Sequence, residues 1–516
     1  MSLVKNTASL SGFTLVSRIF GVIRDALIAM VIGTSAHSDA FFIAFRPFDL
    51  LRKLFSDGIF SIAFVPQFSR FLETGRRDEA VSMVYSALIV LSALGVFLVV
   101  AGLLLAPWIL QVMAPGFVPG DAQFSLAVLL FQIMLPYVYV IMVISLFMGV
   151  LNTLGNFYVP GMMPLVFNLV VILFTLCATR YFDVPVTGLA LGVVFGGLVQ
   201  LVFQVPFMVR CGMLKPARFV LCHPGVVNSA KKMVPCMVGA APYQVNILVA
   251  SFFASFLAEG SVSFLYYADR LVQFPLALIA VSFSVVMLPF FSRKAAAGNL
   301  EEIVPVFDTG VRLVMFVAMP AMAGLMALNE PIVRLLFSQG AFDASAAART
   351  AHCLLYLATG LWAFTGARVF VTLHYAVSSF RHPFFAGIIC IIANLVFAAV
   401  LIDPLGITGL ALSVSLSSAA GFVYLVFHPP AQVKFSRIHM CISACRALFL
   451  SAIMVFCIKW AAGFIITDTQ GKLLLGAGVS VCVMMGMTVV VFAAKAMRFP
   501  EVDMALHWLK KERKKD

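Results

Sequence analysis

The sequence predicts an all-α polytopic membrane protein of about 14 transmembrane helices: two pseudo-symmetric six-helix lobes around a central cavity, plus two C-terminal helices. Three observations carry that prediction. Hydrophobic residues make up 62% of the chain and charged residues 11%, with a mean hydropathy of +1.05, far outside the range of water-soluble domains. Apolar runs of about 20 residues, the length that crosses roughly 30 Å of hydrocarbon, recur along almost the whole chain. A polar stretch that follows the second run returns without a gap after the eighth.

The first run, 8–33, begins after Lys5 and leads through "GTSAHSDA" into the second, 38–64, with no small-residue cleavage site, so it reads as a retained helix and not as a signal peptide. The third and fourth, 82–110 and 124–151, are separated by "APGFVPGDAQ"; the fifth and sixth, 158–180 and 185–209, complete a first set. A basic connection leads to the second set, 233–257, 263–290, 304–327, 350–378, 384–402 and 407–428. Runs 440–465 and 473–497 follow, then the tail "HWLKKERKKD". The domain reading is an N-lobe over 1–220, a C-lobe over 221–435, a C-terminal helix pair over 436–498 and a basic tail over 499–516.

Alternate breaks collect the cations: Arg70, Arg76 and Arg77; Arg210, Lys215, Arg218, Lys231 and Lys232; Arg293 and Lys294; Arg381; Lys434 and Arg437; and the tail. The intervening breaks hold only Arg180, Arg334 with Arg349, or Lys472, so the Lys/Arg bias of short loops places both termini in the cytoplasm. The net charge of +13 is therefore read as positive-inside loops facing anionic lipid headgroups, and not as a nucleic-acid surface. Ten cysteines lie scattered without a CxxC pair or a Cys/His cluster, which indicates neither a disulfide framework nor a metal site; Cys441 and Cys445 share a helix face for packing.

The repeat sets the architecture. "VPQFSRFLETGRRDE" and "LPFFSRKAAAGNLEE" align Pro66, Phe68, Ser69, Arg70, Gly75 and Glu79 with Pro289, Phe291, Ser292, Arg293, Gly298 and Glu302. "TGLAL" at 187–191 returns at 408–412, and Asn168 has a counterpart in Asn394. Six spans thus repeat as six in one orientation, as in two-lobed secondary transporters whose substrate site lies between lobes near the bilayer midplane.

Charges inside the spans mark the candidate site. On span one, Arg18 and Asp25 project within about 20° of each other while Arg24 lies about 120° round from Arg18, so either Gly21 permits a bend or more than one face is wet. Span two carries Asp39, Arg46, Asp49, Arg52, Lys53 and Asp57, with Asp49 in reach of Arg46, Arg52 and Lys53. The second lobe adds Ser263, Asp269 and Arg270 in "SVSFLYYADR" and Arg368 in "GARVF". A charge at the bilayer centre costs about 2.5 kcal/mol or more, so such residues mark a pathway or an internal ion pair. For Arg46, Asp49, Lys53 and Asp57, snorkelling and structural pairing compete with substrate contact. Four aspartates, 25, 39, 49 and 269, cannot neutralise six arginines, 18, 24, 46, 52, 270 and 368, plus Lys53. The excess of guanidinium points to a dianionic or diphosphate ligand.

"SRIFGVIRDALIA", "SDAFFIAFRPFDLLRKLFSDGIFSIAFVPQF", "APGF", "GVLNTLGNF" and "ASFLAEGSVSFLYYADRLVQFPLALI" together resemble the MurJ (MviN) family of bacterial lipid II flippases, in the multidrug/oligosaccharidyl-lipid/polysaccharide exporter superfamily. The resemblance covers essentially the whole chain. It implies a V-shaped cavity between the lobes and a lipid-tail groove at the two C-terminal helices. It implies that Arg18, Arg24, Asp39, Arg52, Ser263, Arg270 and Arg368 serve the diphosphate and sugar headgroup or the gating around it, with Asp25, Arg46, Asp49, Asp57 and Asp269 as supporting or gating charges. It also implies lipid II (an undecaprenyl-diphosphate-linked disaccharide-pentapeptide) and membrane lipids as partners, cell-wall synthesis proteins as candidates for protein contact, a monomer in the bacterial inner membrane, no cofactor, no metal and no catalytic residue. Two departures stand out. Gln273 replaces an acidic residue after "ADRL", and Ala250 replaces the aspartate that helps some members bind sodium, with no Asp or Glu between Lys232 and Glu259.

Two other functions fit the sequence less well. A cation-coupled drug exporter of the same superfamily calls for acidic cavity residues, whereas arginine predominates here. A membrane glycosyltransferase acting on lipid-linked sugars calls for a sizeable outer loop with catalytic carboxylates, and the outer loops are short. No GxxxxGK[ST] loop, Ser/His/Asp elbow or HExxH helix supports ATP use or hydrolysis.

Overall fold

The computed structural model describes residues 2–54, 60–430, 433, 435–467 and 471–500, and among them the regular structure is entirely helical. In chain order the helices are α1 (Ser2–Ile32), α2 (Ala36–Leu54), α3 (Phe60–Glu73), α4 (Arg77–Met113), α5 (Ala122–Met134), α6 (Pro136–Thr153), α7 (Tyr158–Tyr181), α8 (Pro185–Arg210) and α9 (Pro224–Ala254). They continue with α10 (Ser261–Leu276), a π-helical turn Ala277–Val281, α11 (Ser282–Ala296), α12 (Leu300–Ala327), α13 (Asn329–Phe337), α14 (Ala344–Ala358), α15 (Leu361–Ala376), α16 (Arg381–Leu405), α17 (Ile407–Phe427), α18 (Arg437–Ile465) and α19 (Lys472–Ala496).

Among the described residues ten helical spans are long and apolar enough to cross a membrane, or eleven when α14 and α15, bent by 45°, count as one; α1 and α2, which carry the site charges, are not among the ten. The outward faces are apolar. Phe97, Leu104 and Trp108 on α4 are 66–75% exposed, and Phe456, Trp460 and Phe464 recur every four residues on α18 at 65–73%. Such contiguous apolar surface is stable in hydrocarbon and not in water. The chain is a multi-pass membrane protein.

Two compact units emerge. The first is Met1–Gln244 with Ala258–Ser263 and Gln339–Asp343; the second is Val245–Leu257, Phe264–Ser338 and Ala344–Asp516. In the first unit α8 packs on α7 through glycines spaced by four. A Cβ on Gly188, Gly192 or Gly196 would come within 2.8–2.9 Å of Phe182, Phe174 or Phe167, so only a small-residue stripe lets the two backbones approach this closely. In the second unit α17 repeats the device against α16, with Gly409 and Gly421 at the ends of a stripe whose middle is the buried pair Ser413 and Ser417.

The repeat extends to single hydrogen bonds. In the first unit Asn168 Nδ2 donates to the Ser17 carbonyl at 3.0 Å, tying α7 to α1. In the second, its counterpart Asn394 donates to the Asn246 carbonyl at 2.8 Å, tying α16 to α9. At Gly21 a Cβ would lie 3.6 Å from Asn168 Nδ2, an ordinary van der Waals distance, so the α1–α7 contact does not itself require glycine there.

Three local features depart from the expected spans. The run 124–151 divides at Leu135, because Pro136 has no N–H to continue the helix and its ring crowds the preceding turn. The run 350–378 divides at Gly360, whose amide turns to the Leu357 carbonyl at 3.2 Å, while the Ser415 hydroxyl lies 3.0 Å from both the Tyr356 and Leu357 carbonyls and shares its one proton between them. The short helix α13 was not expected; it buries Val333 and Phe337 and turns Glu330 outward.

Gly33 and Gly340, both with positive φ (+58° and +56°), form a close crossing inside the first unit. The Ala341 amide donates to the Met30 carbonyl at 2.9 Å, and a Cβ on Gly33 or Gly340 would stand 2.3–2.4 Å from a backbone oxygen of the opposite strand of chain. Only glycine satisfies both the left-handed backbone and the contact.

Candidate substrate site

The densest group of span charges lies in the first unit, where α7 organises it. Arg24, 7% exposed, donates from Nε (3.0 Å) and Nη2 (2.7 Å) to Oδ1 of the neighbouring Asp25, itself 6% exposed, and from Nη1 to Asn168 Oδ1 at 3.0 Å. Residues one apart do not ordinarily face each other on a helix. The long guanidinium closes the gap, and Asn168 fixes its direction from across the α1–α7 contact. That resolves the stripe problem on span one: Arg24 is held beside Asp25. Arg18 is partly exposed, with no hydrogen bond or ion pair among the described residues.

On α2, Asp49 is buried and accepts from Arg52 Nη2 at 2.6 Å and Lys53 Nζ at 3.0 Å, the three- and four-residue spacings expected. Arg46 is buried one turn earlier. The Arg52 guanidinium carbon lies 5.8 Å from the centre of the Phe167 ring. Phe167 and Asn168 are consecutive on α7, so neighbouring positions of one helix receive Arg52 on an aromatic face and Arg24 on an amide. Gly196 of α8 gives the Phe167 ring its room. Asp57 lies outside the described residues.

Asp39 and Ser263 departed from the expectation that reserved Asp39 for an arginine. Asp39 accepts from the Gly260 amide (2.7 Å), the Ser263 amide (2.8 Å) and the Ser263 hydroxyl (2.5 Å), and the same hydroxyl meets Ser38 Oγ at 2.9 Å. The physical reason is helix-end chemistry. The first amides of α10 have no partner within the helix, and a carboxylate is the strongest acceptor for them. Both residues are essentially fully buried.

In the second unit Asp269 is buried and accepts from Gln273 Nε2 at 2.5 Å, so the Gln273 departure supplies a neutral donor at four-residue spacing. Arg270 is half-buried; its Nη2 donates to Tyr266 OH at 2.8 Å and its guanidinium carbon stands 4.7 Å from that ring's centre. Arg368 on α15 is exposed, and its carbonyl accepts from Thr372. Asn246, Asn394, Ser413 and Ser417 form a buried set of neutral groups, and Ala250 is fully buried on α9. Among the described residues no group of three His, Cys, Asp or Glu could hold a metal ion. Sequence reasoning missed the aromatic supports Phe167 and Tyr266; the doublet Gly196-Gly197 was the available signal for the first.

A family model described as lipid II flippase MurJ matches residues 28–490. The chain belongs to the lipid II flippase MurJ family. Relatives include the probable lipid II flippase MurJ of Vibrio cholerae serotype O1, 36% identical over 425 residues and 81% of each chain. The lipid II flippase MurJ of Burkholderia cenocepacia is 32% identical over 430 residues, 82% of this chain and 83% of that one. Among solved structures, a lipid II flippase MurJ in an inward closed conformation superposes with a TM-score of 0.78 over 95% of this chain and 99% of the other, at 24% identity. An inward-facing MATE multidrug transporter of the MOP superfamily gives 0.66 over 86% and 96%, at 12% identity. These two likenesses bear on the fold, which is that of MurJ and its MOP neighbours. Members of the MurJ family are transporters and not enzymes.

Proposed function

We propose that this chain flips lipid II from the inner to the outer leaflet of the bacterial cytoplasmic membrane by alternating access, both its termini in the cytoplasm. The observation that carries the reading is the charge of the helix pair α1 and α2: Arg18, Arg24, Arg46, Arg52 and Lys53 stand against Asp25, Asp39 and Asp49, and Asp39 is occupied by backbone amides and a serine. That surplus suits a diphosphate, whose oxygens guanidinium groups bind in pairs without losing charge on desolvation. It disfavours a cationic drug. Arg24, Arg52 and Arg270 are assigned to the diphosphate, Arg18 and Arg368 to the wider headgroup, and Asp39 with Ser263 to a latch that releases when access changes sides.

Arg270→Lys tests the assignment. Lysine keeps the charge and loses both the planar fork and the stack on Tyr266, so transport should fall about tenfold at near-normal membrane abundance. Full activity in that variant would reject a diphosphate role for Arg270.

Sodium coupling is not expected. A high-affinity sodium site needs several oxygens, usually with a carboxylate among them, and the buried polar set around α9 is neutral, with Ala250 beside it in sequence. Transport into vesicles should respond to collapse of the membrane potential and not to replacement of sodium by choline. A steep sodium dependence at constant potential would overturn this.

A further inference from the structure

We propose that Tyr137 is a ligand-binding residue of the arginine site, its hydroxyl donating to an oxygen of the diphosphate that Arg24 and Arg52 receive. The inference deepens the lipid II reading and rests on it. Tyr137 lies in the first turn of α6 and is 1% exposed. Its ring packs on Phe167 at 5.8 Å between centres, the same ring that Arg52 approaches from 5.8 Å. Gly197 of α8 makes the space: a Cβ there would fall 2.6–2.7 Å from Tyr137 ring atoms. The two adjacent glycines thus seat two adjacent rings, one carrying a hydroxyl into the combined field of Arg52, Asp49 and Arg24.

That hydroxyl has no hydrogen-bond partner among the described residues. A buried phenol without an acceptor destabilises a fold, and phenylalanine would fill the same space without that cost. Its surroundings are rich in donors. Arg24, Arg52 and Lys53 contribute only N–H groups, while Oδ1 of Asp25, both oxygens of Asp49 and Oδ1 of Asn168 already accept. What such a cluster lacks is an acceptor-rich anion. Arg52 and Lys53 retain 24% and 16% side-chain exposure, so an anion would approach by way of these two side chains, Arg52 exchanging Asp49 for a phosphate oxygen.

The test uses the purified full chain, wild type and Tyr137→Phe, with lipid II as the probe. Two quantities are measured: affinity for lipid II, and the thermal midpoint without ligand. Tyr137→Phe should bind at least about tenfold more weakly, the loss of one hydrogen bond to a charged acceptor, with an unliganded midpoint equal to or above that of wild type. Equal affinity in the two proteins would overturn the inference. So would a fall in both affinity and unliganded midpoint, which would make the hydroxyl structural. Failure of the wild type itself to bind lipid II would overturn the functional reading, an outcome distinct from equal binding by both.

Discussion

Arg24→Ala is expected to abolish transport and to destabilise the protein by about 3–5 kcal/mol, the usual consequence of removing one partner of a buried ion pair. Arg24 and Asp25 are 7% and 6% exposed, so the deletion takes from a buried carboxylate the two N–H groups that its Oδ1 accepts, and it strips Asn168 Oδ1 of its donor. The double variant Arg24→Ala/Asp25→Ala removes both charges together. It should recover most of the thermal stability and none of the transport. Recovery of both would reduce the pair to a structural role, and equal instability of single and double variants would contradict the buried-pair account.

Asp39→Ala should rank second, with a loss of about 3 kcal/mol. It leaves the Gly260 and Ser263 amides without an acceptor, each at a cost of about 1–3 kcal/mol, and leaves the Ser263 hydroxyl with Ser38 alone. Ser263→Ala deletes only the hydroxyl bonds and should cost about 1 kcal/mol, since the Ser263 amide keeps Asp39. Asp39→Asn should fall between, because its amide group turns a donor toward a donor. Thermal midpoints in the order Asp39→Ala, Asp39→Asn, Ser263→Ala, wild type, from lowest to highest, are the expected result. Equal midpoints for the three variants would show that the carboxylate is not what holds the α10 amides.

Much of the architecture was legible because its physics is local. A run of about 20 apolar residues needs no partner to declare itself, and the repeat alone pairs Asn168 with Asn394, which make equivalent bonds to α1 and α9. Features that depend on pairing across the chain were not legible. Asp39 is satisfied largely by backbone amides more than 200 residues away, and a backbone N–H leaves no mark in residue type. The crossing of Gly33 and Gly340 is hidden for the same reason. Within the site, the spacing of Asp49 to Arg52 and Lys53 predicted their bonds, since five consecutive residues of one helix suffice. Arg24 could be placed only once α7 brought Asn168 to it, and Phe167 and Tyr137 read in sequence as ordinary core aromatics.

The proposed passage of lipid II across the membrane through the guanidinium site has a direct test. The most direct measurement is the amount of lipid II open to cleavage by a membrane-impermeant hydrolase in cells whose flipping depends on this protein. Depleting the protein, or replacing it with Arg24→Ala/Asp25→Ala at normal abundance, should leave lipid II made but protected from cleavage. Cleavage unchanged from wild type under both conditions would contradict the account.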